Sequence, residues 1–173
     1  MLKELNEYGQ NILQNASANA SSEIFEFMIQ KLEKIASRDE IRQMLRNSNK
    51  LNQNLLQPAA RRNKSSELHK TLWKTLRKCF EKSEILQFIK NVDVDGNNLL
   101  FNAVNGYKPT KEIVELTWNE IKSFLTHDEQ VEYLTMKRKD GKNLKQIASD
   151  NKYNPEELSA WIDSQIKYYK LNF

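Results

Sequence analysis

The chain has 173 residues, a net charge of +4 and one cysteine, which excludes an internal disulfide and favours a reducing compartment. No apolar run approaches the roughly 18 residues of a membrane span, and the start MLKELNEYGQ lacks the apolar core of a signal peptide. Only four glycines and three prolines are present, which favours helix. We therefore expect a helical intracellular protein, cytoplasmic or nuclear, that does not contact a membrane.

One phrase recurs four times along the chain, as YGQNILQNA, LNQNLLQPA, DGNNLLFNA and DGKNLKQIA. Each copy carries an asparagine followed by apolar residues at helical spacing: Asn11, Asn54, Asn98 and Asn143, separated by 43, 44 and 45 residues. Self-similarity at a period of this size is typical of repeat architectures. We predict that each asparagine is the N-cap of a short helix at an equivalent place.

The first three copies each start a unit of three predicted helices. In the first unit the short helix precedes an amphipathic helix with apolar residues from Ile24 to Ile35, and then a third helix, Arg38–Arg46. Ile12, Leu13 and Ala16 should line one face of the short helix. The fourth unit has two helices, and we expect the last helix to cap the stack. The sequence predicts a single all-α domain, residues 1–173, folded as a helical repeat solenoid with approximate units 7–50, 51–94, 95–139 and 140–173.

The phrase at Asp93–Val104 resembles the ankyrin repeat. Asp93, Gly96, Leu100 and Ala103 match its Asp, Gly, Leu and Ala, and Asn98 stands where its capping threonine lies. The ankyrin period is about 33 residues, so the longer period here implies a longer second helix and an added third helix. A different helical solenoid with units of about 40–47 residues is the alternative. The resemblance implies a non-enzymatic, protein-binding scaffold.

Residues that could carry chemistry are few. His69 and His127 lie in different units and neither has a second histidine or a cysteine at ligand spacing, so both are predicted at a helix surface or cap. Cys79 lacks a nearby base and is predicted to be a small core thiol or a half-buried one. No glycine-rich phosphate loop is present. We predict no catalytic residue, no cofactor and no metal site.

Basic residues cluster along the second unit. Between Pro58 and Phe80 the sequence has seven basic residues and one acidic residue, Glu67. The candidate partner-binding residues are Arg61, Arg62, Lys70, Lys74, Arg77 and Lys78. The last four share one helical face. This face is either simply solvated, or binds an acidic protein, or binds nucleic acid. Nucleic acid is disfavoured because no aromatic residues interleave with these cations and the net charge is small.

The sequence therefore predicts a monomeric, non-catalytic protein–protein interaction module whose stacked units form one extended binding face. The alternative is a small helical nucleic-acid-binding protein that uses the basic face from Arg61 to Lys78. The steep salt dependence of phosphate binding separates the two.

Overall fold

The computed structural model describes the backbone of residues 4–171 and the side chains of residues 4–169. Within that range the chain forms eleven helices and no β-strand, which confirms the predicted all-α class. The helices are α1 (Ile12–Asn19), α2 (Ser22–Ile35), α3 (Arg38–Arg46), α4 (Leu56–Arg62), α5 (Ser66–Cys79), α6 (Lys82–Lys90), α7 (Leu99–Val104), α8 (Lys111–Lys122), α9 (His127–Thr135), α10 (Leu144–Ser149) and α11 (Pro155–Leu171).

The helices follow one another in the order short, long and intermediate. The short helices contact one another in chain order, α1 to α4, α4 to α7 and α7 to α10. The long helices do the same from α2 to α5 and from α5 to α8, and α11 packs on α9 and α10. A row of short helices therefore lies beside a row of long ones.

One continuous apolar core runs between these rows, from Leu13 to Tyr169. An alanine lies at the same place in each short helix and is buried in every case: Ala16, Ala59, Ala103 and Ala148. Its small side chain lets neighbouring short helices approach closely. The tryptophans of the long helices are buried as well: Trp73, Trp118 and Trp161. Each such large side chain stabilises the fold by about 1.5–3 kcal/mol.

Three of the four predicted caps are N-cap residues. The side-chain oxygens of Asn11, Asn98 and Asn143 accept the backbone N–H three residues on, at 3.0, 2.9 and 2.9 Å. Each takes up a backbone donor that has no partner inside the helix. The short helices α1, α7 and α10 therefore start as the repeated phrase predicts.

The prediction for Asn54 needs correction, because α4 starts at Leu56 and its N-cap residue is Leu55. Four residues after Asn11 and Asn98, a backbone N–H donates to the cap carbonyl at 3.1 Å. Four residues after Asn54 the chain has Pro58, which lacks that N–H. The first helical hydrogen bond cannot form, and the Asn54 side chain accepts from the N–H of Leu56 at 3.0 Å instead.

A five-residue turn precedes each short helix. In each turn the first N–H donates to the fifth carbonyl at 2.9–3.0 Å, starting at Asn6, Asn49, Asp93 and Arg138. Each turn has one residue in the left-handed region: Gly9, Asn52, Gly96 and Gly141. Neighbouring turns are joined by single backbone hydrogen bonds, from Lys50 to Tyr8 at 3.0 Å, Val94 to Leu51 at 3.0 Å and Lys139 to Asp95 at 3.1 Å. We call this row of joined turns the turn ladder.

Some apolar residues at the N-terminal end are exposed, although their helical spacing predicts that they face the core. Ile12, Ile24 and Ile35 are 56%, 54% and 70% exposed. Ile12 and Ile24 are exposed because no helix of the described chain lies on that side of α1 and α2.

Candidate functional site

The candidate site is a groove of about 530 Å³ between the first two turns and α4. Tyr8 and Leu51 line it from neighbouring turns, and both are exposed. Pro58, Arg61 and Arg62 line it from α4. Among the described side chains neither arginine forms an ion pair. Lys50 lines the groove as well and, like the two arginines, forms no ion pair within the described side chains. The groove therefore combines exposed apolar surface with three positive charges.

The other four candidate residues lie apart from this groove, on the exposed side of α5. Lys70 pairs with Glu67 at 2.6 Å on its own helix. Arg77 pairs with Glu120 of α8, and Lys78 pairs with Glu33 of α2. Within the described chain Lys74 alone of the four lacks such a partner. The basic face therefore links α5 to both neighbouring long helices, and most of its charge is balanced.

A second groove, of about 590 Å³, lies between α5 and α8. Lys70 and Arg77 line it together with Glu112, Glu115 and Glu120. Lys111 also lines it, so three carboxylates lie beside three cations. Such a mixed-charge surface is a poor docking site for a polyanion.

Buried amide side chains hold the first groove in shape. Gln14 donates to the carbonyl of Asn47 at 2.7 Å and to that of Gln53, in the second turn, at 3.1 Å. Asn47 in return donates to the Gln14 side chain at 2.7 Å. Since Gln14 and Gln53 are buried, these hydrogen bonds lie in a low-dielectric environment where breaking them is costly. They fix α1, the end of α3 and the second turn relative to one another.

The same arrangement recurs one step along the chain. Gln57 donates to the carbonyl of Asn97 in the third turn at 3.1 Å, and Asn91 donates to the Gln57 side chain at 2.8 Å. At the next corresponding position, three residues after Asn98, Phe101 stands at the place of Gln14 and Gln57. There Tyr133 links the helices, accepting from the N–H of Leu99 at 3.2 Å and donating to the carbonyl of Ile89 at 3.0 Å. Burial raises the pKa of Tyr133, so it keeps its donor proton.

A buried carboxylate joins the second and third turns. Asp93 accepts the N–H groups of Asp95 and Asn97 at 3.1 and 2.9 Å, and the Gln53 side chain at 3.1 Å. Burial acts to raise the pKa of Asp93, but hydrogen bonds from Asn97, Gln53 and Asp95 outweigh it and lower the pKa below its ordinary value. Asp93 is therefore ionised at neutral pH, with its charge held by donors from two turns.

Exposed tyrosines and lysines form a cluster in the loops that follow the short helices. The rings of Tyr107 and Tyr153 meet edge to face at 5.5 Å. Lys64 lies 5.7 Å from the Tyr107 ring, and Lys108 lies 5.7 Å from both rings. The N–H of Tyr107 donates to the carbonyl of Arg61 at 2.8 Å, which ties the cluster to the end of α4. The sequence pattern does not reveal this cluster because its members come from three separate loops.

His69 lies in the first turn of α5, which is the predicted cap region, but it is buried, so the alternative surface position is wrong. Its Nε2 lies 3.1 Å from the carbonyl of Asn63, and burial lowers its pKa despite that contact. Cys79 is half-buried, and burial raises the pKa of its thiol. In the described chain no three His, Cys, Asp or Glu side chains are grouped so that they could hold a metal ion.

The described helices include none that is both long and apolar enough to cross a membrane. Comparison with protein-family models finds no match for this chain. Comparison with curated proteins finds no match either.

Proposed function

We propose that the chain is an ankyrin-like helical repeat array, with four units at 7–50, 51–94, 95–139 and 140–173, that acts as a non-catalytic protein-binding module. Support comes from three features that share one period: the asparagines of the repeated phrase, three of which are N-caps, the left-handed turn residues and the hydrogen bonds between turns. Stacked units of this kind present an extended, rigid face to a partner. The single half-buried cysteine supports an intracellular setting.

The observation that carries the proposal is the groove at Tyr8, Leu51, Arg61 and Arg62. Buried amides and the turn ladder hold its walls, so binding costs little reordering. Two arginines without carboxylate partners suit an acidic segment, because guanidinium groups bind carboxylates with two parallel hydrogen bonds. Tyr8 and Leu51 supply apolar contact beside them. An acidic protein segment carrying an aromatic or aliphatic residue fits this combination.

A peptide-display selection on the full chain tests the proposal. We expect enriched peptides to pair Asp or Glu with an apolar residue, and Arg61→Glu with Arg62→Glu to weaken their binding tenfold or more, since charge-assisted hydrogen bonds contribute about 1.5–3 kcal/mol each. The matched control is Lys70→Glu with Lys74→Glu, which makes the same charge change on α5 and should leave binding unchanged. Peptides insensitive to the arginine changes would overturn the proposal.

Nucleic-acid binding is the second candidate, and the lysine–tyrosine cluster favours it. Tyr107 and Tyr153 supply exposed rings beside Lys64 and Lys108, and bases stack on such rings. The α5 face adds little excess charge because three of its four cations pair with acids. Titration of the chain with a single-stranded oligonucleotide at two salt concentrations tests whether it binds nucleic acid. Submicromolar binding that weakens steeply with salt and is lost in Tyr107→Ala with Tyr153→Ala would favour this candidate.

A further inference from the structure

The N-terminal end of the molecule exposes an apolar surface built from α1 and α2. Ile12, Ile24 and Phe27 are each more than half exposed, and Lys31 lies over the Phe27 ring at 5.0 Å. Ile24, Phe27 and Lys31 share one helical face at i, i+3 and i+7. We call this surface, with Glu23 and Lys34 beside it, the N-terminal end face.

Corresponding positions elsewhere in the molecule are buried. Ile12 corresponds to Leu55, Leu99 and Leu144, which are at most 1% exposed. Ile24 corresponds to Leu68 of α5, which is fully buried. Phe27 corresponds to Thr71, whose hydroxyl lies 2.6 Å from Ser22 of the preceding long helix. The end face thus carries large apolar residues at places where the rest of the chain contacts a neighbouring helix.

The charges of this face are arranged to complement a second copy. Glu23 lies at the start of α2, whereas Lys31 and Lys34 lie in its second half, at i+8 and i+11 on the same face. Two α2 helices packed antiparallel about a twofold axis would place Glu23 of each opposite the lysines of the other. A twofold contact uses the same patch on both copies.

The C-terminal end of a second copy is a poorer occupant. Its exposed surface carries Lys145 of α10 paired with Asp163 of α11 at 2.7 Å, and Glu156 and Lys167 are exposed nearby. Docking Ile12 and Phe27 there would bury charges away from water, which is costly. A head-to-head contact avoids that cost.

We propose that the N-terminal end face is a homodimer interface in which two copies pack α2 against α2 in antiparallel orientation. This goes beyond the proposed partner binding, which uses the groove at Arg61 and Arg62. It also departs from the monomer expected from sequence.

Sedimentation equilibrium of the full chain under reducing conditions tests the proposal. We expect a concentration-dependent mass that rises from 20.4 kDa toward twice that value. Phe27→Asp should weaken association at least tenfold. Tyr168→Asp alters an exposed aromatic residue of α11 and should leave association unchanged. Circular dichroism of both variants checks that each is folded.

A charge exchange tests the antiparallel arrangement itself. Glu23→Lys should weaken the dimer severalfold, and adding Lys31→Glu and Lys34→Glu should restore it. A monomer mass at every concentration, a dimer indifferent to Phe27→Asp, or a dimer broken by Tyr168→Asp would overturn the proposal. Failure of the triple exchange to restore association would overturn the antiparallel packing.

Discussion

The two ends of this molecule are built from the same kinds of helix but differ in what they expose. Helix α11 is apolar on one side only, with Leu158, Trp161 and Ile162 buried. Helix α2 buries Phe25, Ile29 and Leu32 and also exposes Ile24 and Phe27. A helix that is apolar on two sides is typical of a buried position. Helix α11 therefore covers the core on one side, whereas α2 has the composition of an interior helix.

The largest difference in the free energy of unfolding should separate substitutions of aromatic residues in the two terminal long helices. Trp161→Ala removes a core side chain and should lower the free energy of unfolding by about 3–5 kcal/mol. Phe27→Ala, measured at a concentration where the chain is monomeric, should change it by less than about 0.5 kcal/mol because the ring is exposed. Urea denaturation measures both. Equal losses would contradict the contrast between the ends.

The next effect compares equivalent positions of the first and last short helices. Leu144→Ala should lower the free energy of unfolding by about 2–3 kcal/mol, since Leu144 is 1% exposed. Ile12→Ala should cost less than about 0.5 kcal/mol in the monomer. Thermal melting at low protein concentration measures the pair. A large loss at Ile12 under those conditions would show that a part of the chain covers it.

A smaller difference in the free energy of unfolding is expected between substitutions of the N-cap residues at the two ends. Asn143→Ala removes an N-cap hydrogen bond and should cost about 1 kcal/mol. Asn11→Ala also leaves the Met44 carbonyl without its 2.7 Å donor, so it should cost about 2–3 kcal/mol. Urea denaturation checks the order. If Asn143 proves the costlier site, the second hydrogen bond of Asn11 contributes nothing.

The last contribution lies between the ends, at Asp93, and depends on pH. Its pKa is lower in the folded chain than in the unfolded one, so its ionised form stabilises the fold fully above about pH 4. That contribution is lost as the pH falls through the folded-state pKa. Asp93→Asn should make the free energy of unfolding depend less on pH in the acid range, which urea denaturation at several pH values measures. Asp95→Asn, which removes an exposed carboxylate two residues on, is the matched control for the change in charge.

Much of the helical pattern could be read from sequence because local rules determine it. The third helix Arg38–Arg46 has the predicted bounds, with Ser37 as cap and Glu40 completing the capping box. The start of α4 differs because one missing N–H, at Pro58, removes the first helical hydrogen bond. Pro58 stands in the second copy of the phrase itself, so this exception could also be predicted from the sequence.

The candidate site was less accessible from sequence because its properties depend on distant residues. Arg77 and Lys78 look free in sequence, yet their partners Glu120 and Glu33 come from other long helices. The turn ladder could not be predicted from the sequence because Asn6 and Asn49, which stand at the place of Asp93, resemble any polar loop residue. Exposure of Ile12 likewise depends on which helix lies beside it, and its own spacing does not reveal that.

The ion pair between Lys145 and Asp163 has a consequence for how copies of this chain add to one another. Proteins whose two ends are both adhesive and complementary grow head to tail into filaments when the contact does not close. Here the N-terminal end face is apolar, whereas the described surface of α10 and α11 carries the paired charges of Lys145 and Asp163. Growth would therefore stop after the first contact, and raising the concentration would increase the fraction of pairs without producing polymers.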